Sequence, residues 1–162
     1  MNNTYFNIPE SKKDNLAKGM AGGPTDELDY ERPKREQNEV VYRILNGGIY
    51  STPSDMVKFT KACMGYSNLL NENNITLLQT TQTQTQTPTT RLRFNYSFGF
   101  DLYSDQGINT VGHAGSTTGY SAHFEYAKDS EYGVILMRNY NFGNTNLDLR
   151  SNSLLRKLSV TK

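Results

Sequence analysis

The spacing of apolar residues predicts a helix near the middle of the chain. Three apolar side chains lie three and four positions apart, the period of a helix with one face toward a core: Met56, Phe59 and Cys63. The preceding residues are typical of a helix start: Thr52, Pro53 and Asp55. We predict a helix from Pro53 to about Met64, with the Cys63 thiol buried rather than reactive.

From Phe94 onward the pattern changes to apolar residues at every second position, the period of a strand with one buried face. The first such run contains Tyr96, Phe98, Phe100 and Leu102. The second contains Tyr120, Ala122, Phe124 and Tyr126, and it places His123 on the polar face. Val134–Met137 is continuously apolar, which is typical of a central strand covered on both faces.

The remaining segments complete an α+β prediction. Residues 1–46 are polar and irregular, and we interpret them as loop with a short helix. A second short helix is predicted around Ile75–Leu78, and a mobile surface loop of threonine and glutamine over 80–90. Apolar residues near helical spacing predict a C-terminal helix over 147–158. The chain is thus predicted to be one domain or part of one: a helical and loop region over 1–93, then a three-stranded antiparallel sheet and a closing helix over 94–162.

Composition narrows the range of partners. The formal net charge of the 162 residues is +1, so no broad field favours nucleic acid or an anionic membrane. No apolar stretch approaches the roughly 18 residues of a membrane span. The two histidines, His113 and His123, lack acidic or cysteine neighbours at ligand spacing, so no metal is predicted. Phosphate-loop and dinucleotide motifs are also missing, and no cofactor is expected.

The candidate chemistry lies in the stretch His113-Ala114-Gly115-Ser116, followed by Gly119-Tyr120. It places an imidazole, a glycine that lets a ligand approach the backbone, and a hydroxyl on a predicted strand. A histidine on a strand is more often a structural hydrogen-bonding group than a catalytic one, and the residues alone leave both interpretations open.

Taken together, several segments resemble the serine β-lactamase and penicillin-binding protein family, in its class C β-lactamase, D-alanyl-D-alanine carboxypeptidase and esterase branch. The segments are Gly47-Gly48-Ile49-Tyr50-Ser51-Thr52-Pro53-Ser54-Asp55-Met56, Tyr96-Ser97-Phe98-Gly99-Phe100, Gly112-His113-Ala114-Gly115 and Gly133-Val134-Ile135-Leu136-Met137-Arg138-Asn139. The resemblance covers nearly the whole chain except the threonine and glutamine loop.

The resemblance implies a site as well as a fold. In that family a serine and a lysine in S-x-x-K, a Y-x-N-type motif and a K-T-G-type strand form an acyl-transfer pocket. By resemblance His113 takes the place of the strand lysine, and the backbone N–H of Ser116 supplies one oxyanion donor. By the same resemblance, Ala114 and Gly115 contact the substrate. An imidazole loses its charge near neutral pH and an amine does not, so the activity of the complete enzyme should depend on pH through this residue.

The first two family motifs are not found at their expected places. Ser159–Lys162 matches S-x-x-K at the wrong end of the chain, and the Y-x-N matches at Tyr5 and Tyr66 are attributed to chance. We therefore expect the C-terminal portion of a serine hydrolase, inactive alone. The alternative is a non-catalytic binding or structural remnant that pairs with a partner chain.

Two further expectations follow from the resemblance. The last strand, about 132–139, should present an unpaired apolar edge and promote self-association. A small-molecule or peptidoglycan-peptide substrate and a location outside the cytoplasm or in the cell envelope are implied for the complete enzyme, although nothing in the residues themselves indicates a compartment.

Overall fold

The computed structural model describes residues 1–22, 27–38, 47–84, 93–105 and 107–160. Its helices are a 3-10 helix at Glu10–Asn15, α1 at Arg32–Asn38, α2 at Pro53–Cys63, α3 at Glu72–Leu78 and α4 at Leu147–Val160. Its strands are β1 at Thr83–Gln84, β2 at Arg93–Tyr96, β3 at Asp101–Asp105, β4 at Ile108–Thr117, β5 at Tyr120–Ala127 and β6 at Gly133–Arg138. The predicted α+β class and the predicted helices around 53–64, 75–78 and 147–158 are confirmed.

The strands form one antiparallel sheet in the order in which they follow one another along the chain. It has six strands, five longer ones and the two-residue β1, so the prediction of three strands is wrong. The alternating run from Phe94 to Leu102 was predicted as one strand, but it folds as the hairpin β2–β3. Gly99 turns this hairpin with a φ of +82°, a conformation that glycine adopts readily.

The main core lies between α2 and one face of the sheet. Its buried members come from α2, the strands and the turn before β3: Cys63, Phe100, Leu102, Val111, Phe124 and Tyr126. The ring of Phe59 stacks on Phe100 at 6.4 Å and meets Phe124 edge-on at 5.5 Å. Cys63 is 2% exposed, and burial raises the pKa of its thiol to about 11. The prediction of a buried, unreactive cysteine is therefore supported by its surroundings.

Helix α4 covers the opposite face of the sheet, against β4, β5 and β6. Three of its side chains are fully buried there: Leu155, Ser151 and Asn152. Strand β6 contacts both α2 and α4. It lies at the end of the strand order rather than at its centre, which corrects the prediction of a central strand.

The start of α2 is fixed by side-chain hydrogen bonds. Thr52 accepts a hydrogen bond at 3.3 Å from the backbone N–H of Asp55, as a helix N-cap does. The buried Asp55 carboxylate accepts hydrogen bonds from the Asn3 N–H at 2.7 Å and from the Thr4 hydroxyl at 3.0 Å. Burial alone would raise the pKa of Asp55, but these bonds and the Lys58 ammonium lower it to about 2.

Replacing the capping hydroxyl should destabilise the chain moderately. We expect Thr52→Ala to lower the free energy of unfolding by about 1 kcal/mol, because one N–H at the start of α2 loses its partner. Urea unfolding followed by circular dichroism measures the change. Thr52→Ser keeps the hydroxyl and is the matched control. Equal stability of Thr52→Ala and the unmodified chain would contradict the assigned cap.

Within the described part of the chain, no helix is both long enough and apolar enough to cross a membrane.

Candidate functional site

Strand β4 extends beyond its neighbour on one side. It pairs with β5 as far as Thr117, whereas its pairing with β3 ends where Gly112 lies opposite Asp101. The residues from His113 to Thr117 therefore pair with β5 but not with β3. They form the extension of β4. All four residues of the predicted site lie in this extension.

The direction of the backbone groups in the extension follows from the register. The Lys128 N–H donates to the Asn109 carbonyl at 2.8 Å, so odd-numbered residues of β4 bond toward β5. Even-numbered residues bond toward β3. Gly112 is the last of these within the β3 pairing, so the N–H and C=O groups of Ala114 and Ser116 face the side that β3 leaves open. This is the geometry that an extended ligand pairing with a strand edge requires.

The face of β4 at Gly115 is open. A Cβ atom placed on Gly115 would have no other atom within 4 Å. The Ser116 hydroxyl lies 3.4 Å from the Ser121 hydroxyl on β5 and 3.4 Å from the Tyr120 carbonyl oxygen.

The imidazole of His113 is exposed at the start of the extension and has two close polar neighbours. Its Nε2 lies 3.3 Å from the hydroxyl oxygen of Tyr96, and its Nδ1 lies 2.6 Å from the carbonyl oxygen of Ala114. The Tyr96 ring packs edge-on against the imidazole, with 6.1 Å between centroids. Sequence reasoning placed Tyr96 only in a strand pattern and in a family segment, and it missed this contact.

A carboxylate lies close to the same end of the sheet. Asp101 pairs with both Tyr96 and Gly112 across the strands, and it accepts a hydrogen bond from the Tyr103 hydroxyl at 3.2 Å. Burial raises the pKa of Asp101, while positive charge on His113 and the Tyr103 hydrogen bond oppose that rise.

The turn between β4 and β5 is held by the N-terminal part of the chain. The Tyr120 hydroxyl donates to the Ala17 carbonyl at 2.7 Å and accepts from the Gly19 N–H at 3.0 Å. The Thr118 hydroxyl donates to the carboxylate of Glu36 on α1. These contacts fix the position of the hairpin that carries the site.

The second histidine lies on the other face of the sheet and was placed wrongly by the sequence pattern. His123 was predicted on a polar face, but it is 2% exposed because α4 covers that face. Its Nε2 lies 3.3 Å from Oε2 of Glu125, and its Nδ1 lies 3.1 Å from Oδ1 of Asp148. Glu125 also accepts hydrogen bonds from Thr110 and Asn152. We call these five side chains the buried polar cluster; four of them are buried, and Asp148 is half-buried with 35% of its side chain exposed.

The charge state of His123 follows from its neighbours. Burial disfavours the imidazolium, but the close contacts with Asp148 and Glu125 and their negative charge outweigh it and raise the pKa of His123 to about 9. The contact with His123 lowers the pKa of Asp148. An imidazolium between two carboxylates is therefore the form present at neutral pH.

The residues around the S-x-x-K and Y-x-N matches do not indicate a functional site. Ser159 lies near the end of α4, and Lys162 falls outside the described residues. The Tyr5 hydroxyl donates to the carbonyl of Asn2, and Tyr66 is 56% exposed. Most of the predicted loop over 80–90 also lies outside the described residues. Across the described ranges, no three His, Cys, Asp or Glu side chains are grouped to hold a metal ion.

Comparison with known proteins gave a family and solved structures with a similar fold. The model of the Beta-lactamase family matches residues 1–156. The structure of the octameric penicillin-binding protein homologue from Pyrococcus abyssi superimposes with a TM-score of 0.76 at 21% identity, covering 98% of this chain and 34% of that one. A class C β-lactamase gives a TM-score of 0.67 at 19% identity, covering 98% of this chain and 47% of that one. No curated protein sequence matches. The chain thus has the fold of these two structures and spans less than half the length of either.

Proposed function

Because this chain belongs to the β-lactamase family, we propose that the extension of β4 forms one side of a serine hydrolase site for acyl transfer. The observation that carries the proposal is the strand edge from His113 to Ser116, which continues beyond β3 with its even-numbered backbone groups facing outward. The side of such a site needs an accessible N–H for a developing oxyanion and a polar side chain for the substrate. Ser116 and His113 have these roles in the proposal.

The proposed roles divide along the strand. The Ser116 N–H donates to the carbonyl oxygen of the substrate as negative charge develops there. His113 contacts the polar end of the substrate or a neighbouring acid/base group. Ala114 and Gly115 contact the substrate backbone, and the open space at Gly115 leaves room for it. The attacking serine and its lysine would come from residues outside this chain, so this chain alone is proposed to bind substrate weakly and not to hydrolyse it.

Two measurements on the purified chain test this proposal. A fluorescent penicillin should give no covalent labelling, because the chain holds no assigned nucleophile. Titration with a β-lactam at millimolar concentration should shift the backbone NMR signals of His113, Gly115 and Ser116. Stoichiometric labelling would overturn the proposal that the nucleophile lies outside this chain. Shifts confined to other parts of the chain would overturn the proposed location of the site. A Gly115→Val variant fills the open space and should lose the response, whereas Tyr66→Phe should retain it.

A second candidate function is a binding remnant that pairs with another chain, and the position of β6 favours it. The strand lies at the edge of the sheet, and Met137 on it is 41% exposed. Unpaired N–H and C=O groups along such an edge are available to a strand of another molecule. We propose that copies of this chain associate along β6.

This association should be visible in the molar mass of the chain in solution. We expect a dimer or larger species by light scattering at tens of micromolar protein, and a shift toward monomer in Met137→Lys, because a charge on an exposed edge opposes pairing. Leu69→Lys changes a residue that is 74% exposed away from the sheet, and it is the matched control. A monomer at every concentration would contradict the proposal.

A further inference from the structure

The two contacts of the His113 ring define where its protons lie. A carbonyl oxygen can only accept a hydrogen bond, so the contact of 2.6 Å between Nδ1 and the Ala114 carbonyl requires a proton on Nδ1. In the neutral ring Nε2 then carries the lone pair. The Tyr96 hydroxyl, 3.3 Å from Nε2, is the donor to that lone pair.

We propose that Tyr96 is a positioning residue of the site, which together with the Ala114 carbonyl holds neutral His113 in the form protonated at Nδ1. This deepens the proposed function, and its importance for acyl transfer rests on that function. The rings are also packed edge-on at 6.1 Å, so Tyr96 restricts the rotation of the imidazole as well as its protonation.

Protonation of His113 changes the hydrogen bond that its ring shares with Tyr96. Nε2 is the atom that takes up a second proton, and the resulting N–H points at the Tyr96 oxygen. The phenol then changes from donor to acceptor, and its own proton becomes available to another group. The positive ring contacts Tyr96 on β2 and interacts electrostatically with the carboxylates of Asp101 on β3 and Asp148 on α4. His123 of β5 acts on the same two carboxylates. Protonation of His113 therefore turns the proton of the Tyr96 hydroxyl away from Nε2.

The side-chain nitrogen spectrum of the chain tests this assignment without any substrate. The chain has only two histidines, so long-range proton–nitrogen correlations resolve both rings. In the neutral ring of His113 we expect the pattern of protonation at Nδ1. In Tyr96→Phe the ratio of this form to the Nε2-protonated form should fall about fivefold, which corresponds to the loss of a hydrogen bond of about 1 kcal/mol.

The controls separate this role from a structural one. Tyr96→Phe retains the aromatic ring, so the backbone signals away from Tyr96, His113 and their neighbours should not move, and neither should the His123 signals. Tyr66→Phe removes an exposed hydroxyl elsewhere and should leave the ratio at His113 unchanged. A ring protonated at Nε2 in the unmodified chain, or an unchanged ratio in Tyr96→Phe, would overturn the proposal. Either result can occur whether or not a β-lactam binds, so failure here is distinguishable from failure of the proposed function.

Discussion

The free energy of unfolding should fall by about 3 kcal/mol as the pH rises from about 6.5 to about 9, because folded His123 keeps its proton over this range and unfolded His123 loses it. Below 6.5 both states are protonated, and the full stabilisation by Glu125 and Asp148 is present. Between the two values the unfolded state gives up its proton first, so each step in pH favours unfolding. Above about 9 the folded ring is neutral too, and this contribution is gone.

Urea unfolding at a series of pH values measures this loss, and NMR titration of His123 in the folded chain gives its midpoint directly. His123→Gln should flatten the profile between pH 6.5 and 9. Because that variant leaves Glu125 and Asp148 without their cation, its folding has to be checked separately. Asp148→Asn removes one carboxylate and keeps the imidazole, so it should lower the midpoint and narrow the pH range. A midpoint near the ordinary value for histidine in the unmodified chain would contradict the assigned charge state.

The elements that could be predicted from the sequence are those whose pattern lies within their own residues or directly beside them. The N-cap of α2 needs only Thr52, Pro53 and Asp55 in sequence, and the structure has the helix where these residues place it. Helix α4 likewise follows from its own apolar spacing. The period-two pattern failed at β2 and β3, because apolar alternation continues through the turn at Gly99 and marks no boundary between the two strands.

The site shows the same division between local and distant signals. The four residues of the β4 extension are consecutive in sequence, so a motif could indicate them. The partner of His113 is 17 positions away on Tyr96, and only the pairing of β2, β3 and β4 brings the two together. The buried polar cluster could not be predicted from β5 alone, since His123 alternates like a solvent-facing residue until α4 packs over it.

The second large effect is expected at Gly112, which lies opposite Glu125 of β5 on the strand that carries His113. A Cβ atom at this position would overlap the Phe124 carbonyl oxygen and approach the Glu125 Cα to 3.0 Å. These are backbone atoms of a central strand and cannot rotate away. Gly112→Ala should therefore lower the free energy of unfolding by about 3 kcal/mol, the upper range for overpacking a core.

Gly115→Ala is the matched control, three positions further along the same strand. Its added methyl group would meet no atom within 4 Å, so we expect a change within about 0.5 kcal/mol. Both variants place an alanine on β4, so the strand propensity of alanine is the same in both. Any difference in stability between them therefore reports the space beside the strand. Equal stability would mean that β4 and β5 are not in the register that places Gly112 opposite Glu125. Because that register also sets which backbone groups face the open edge, the same pair of measurements tests the outward direction of the Ser116 N–H.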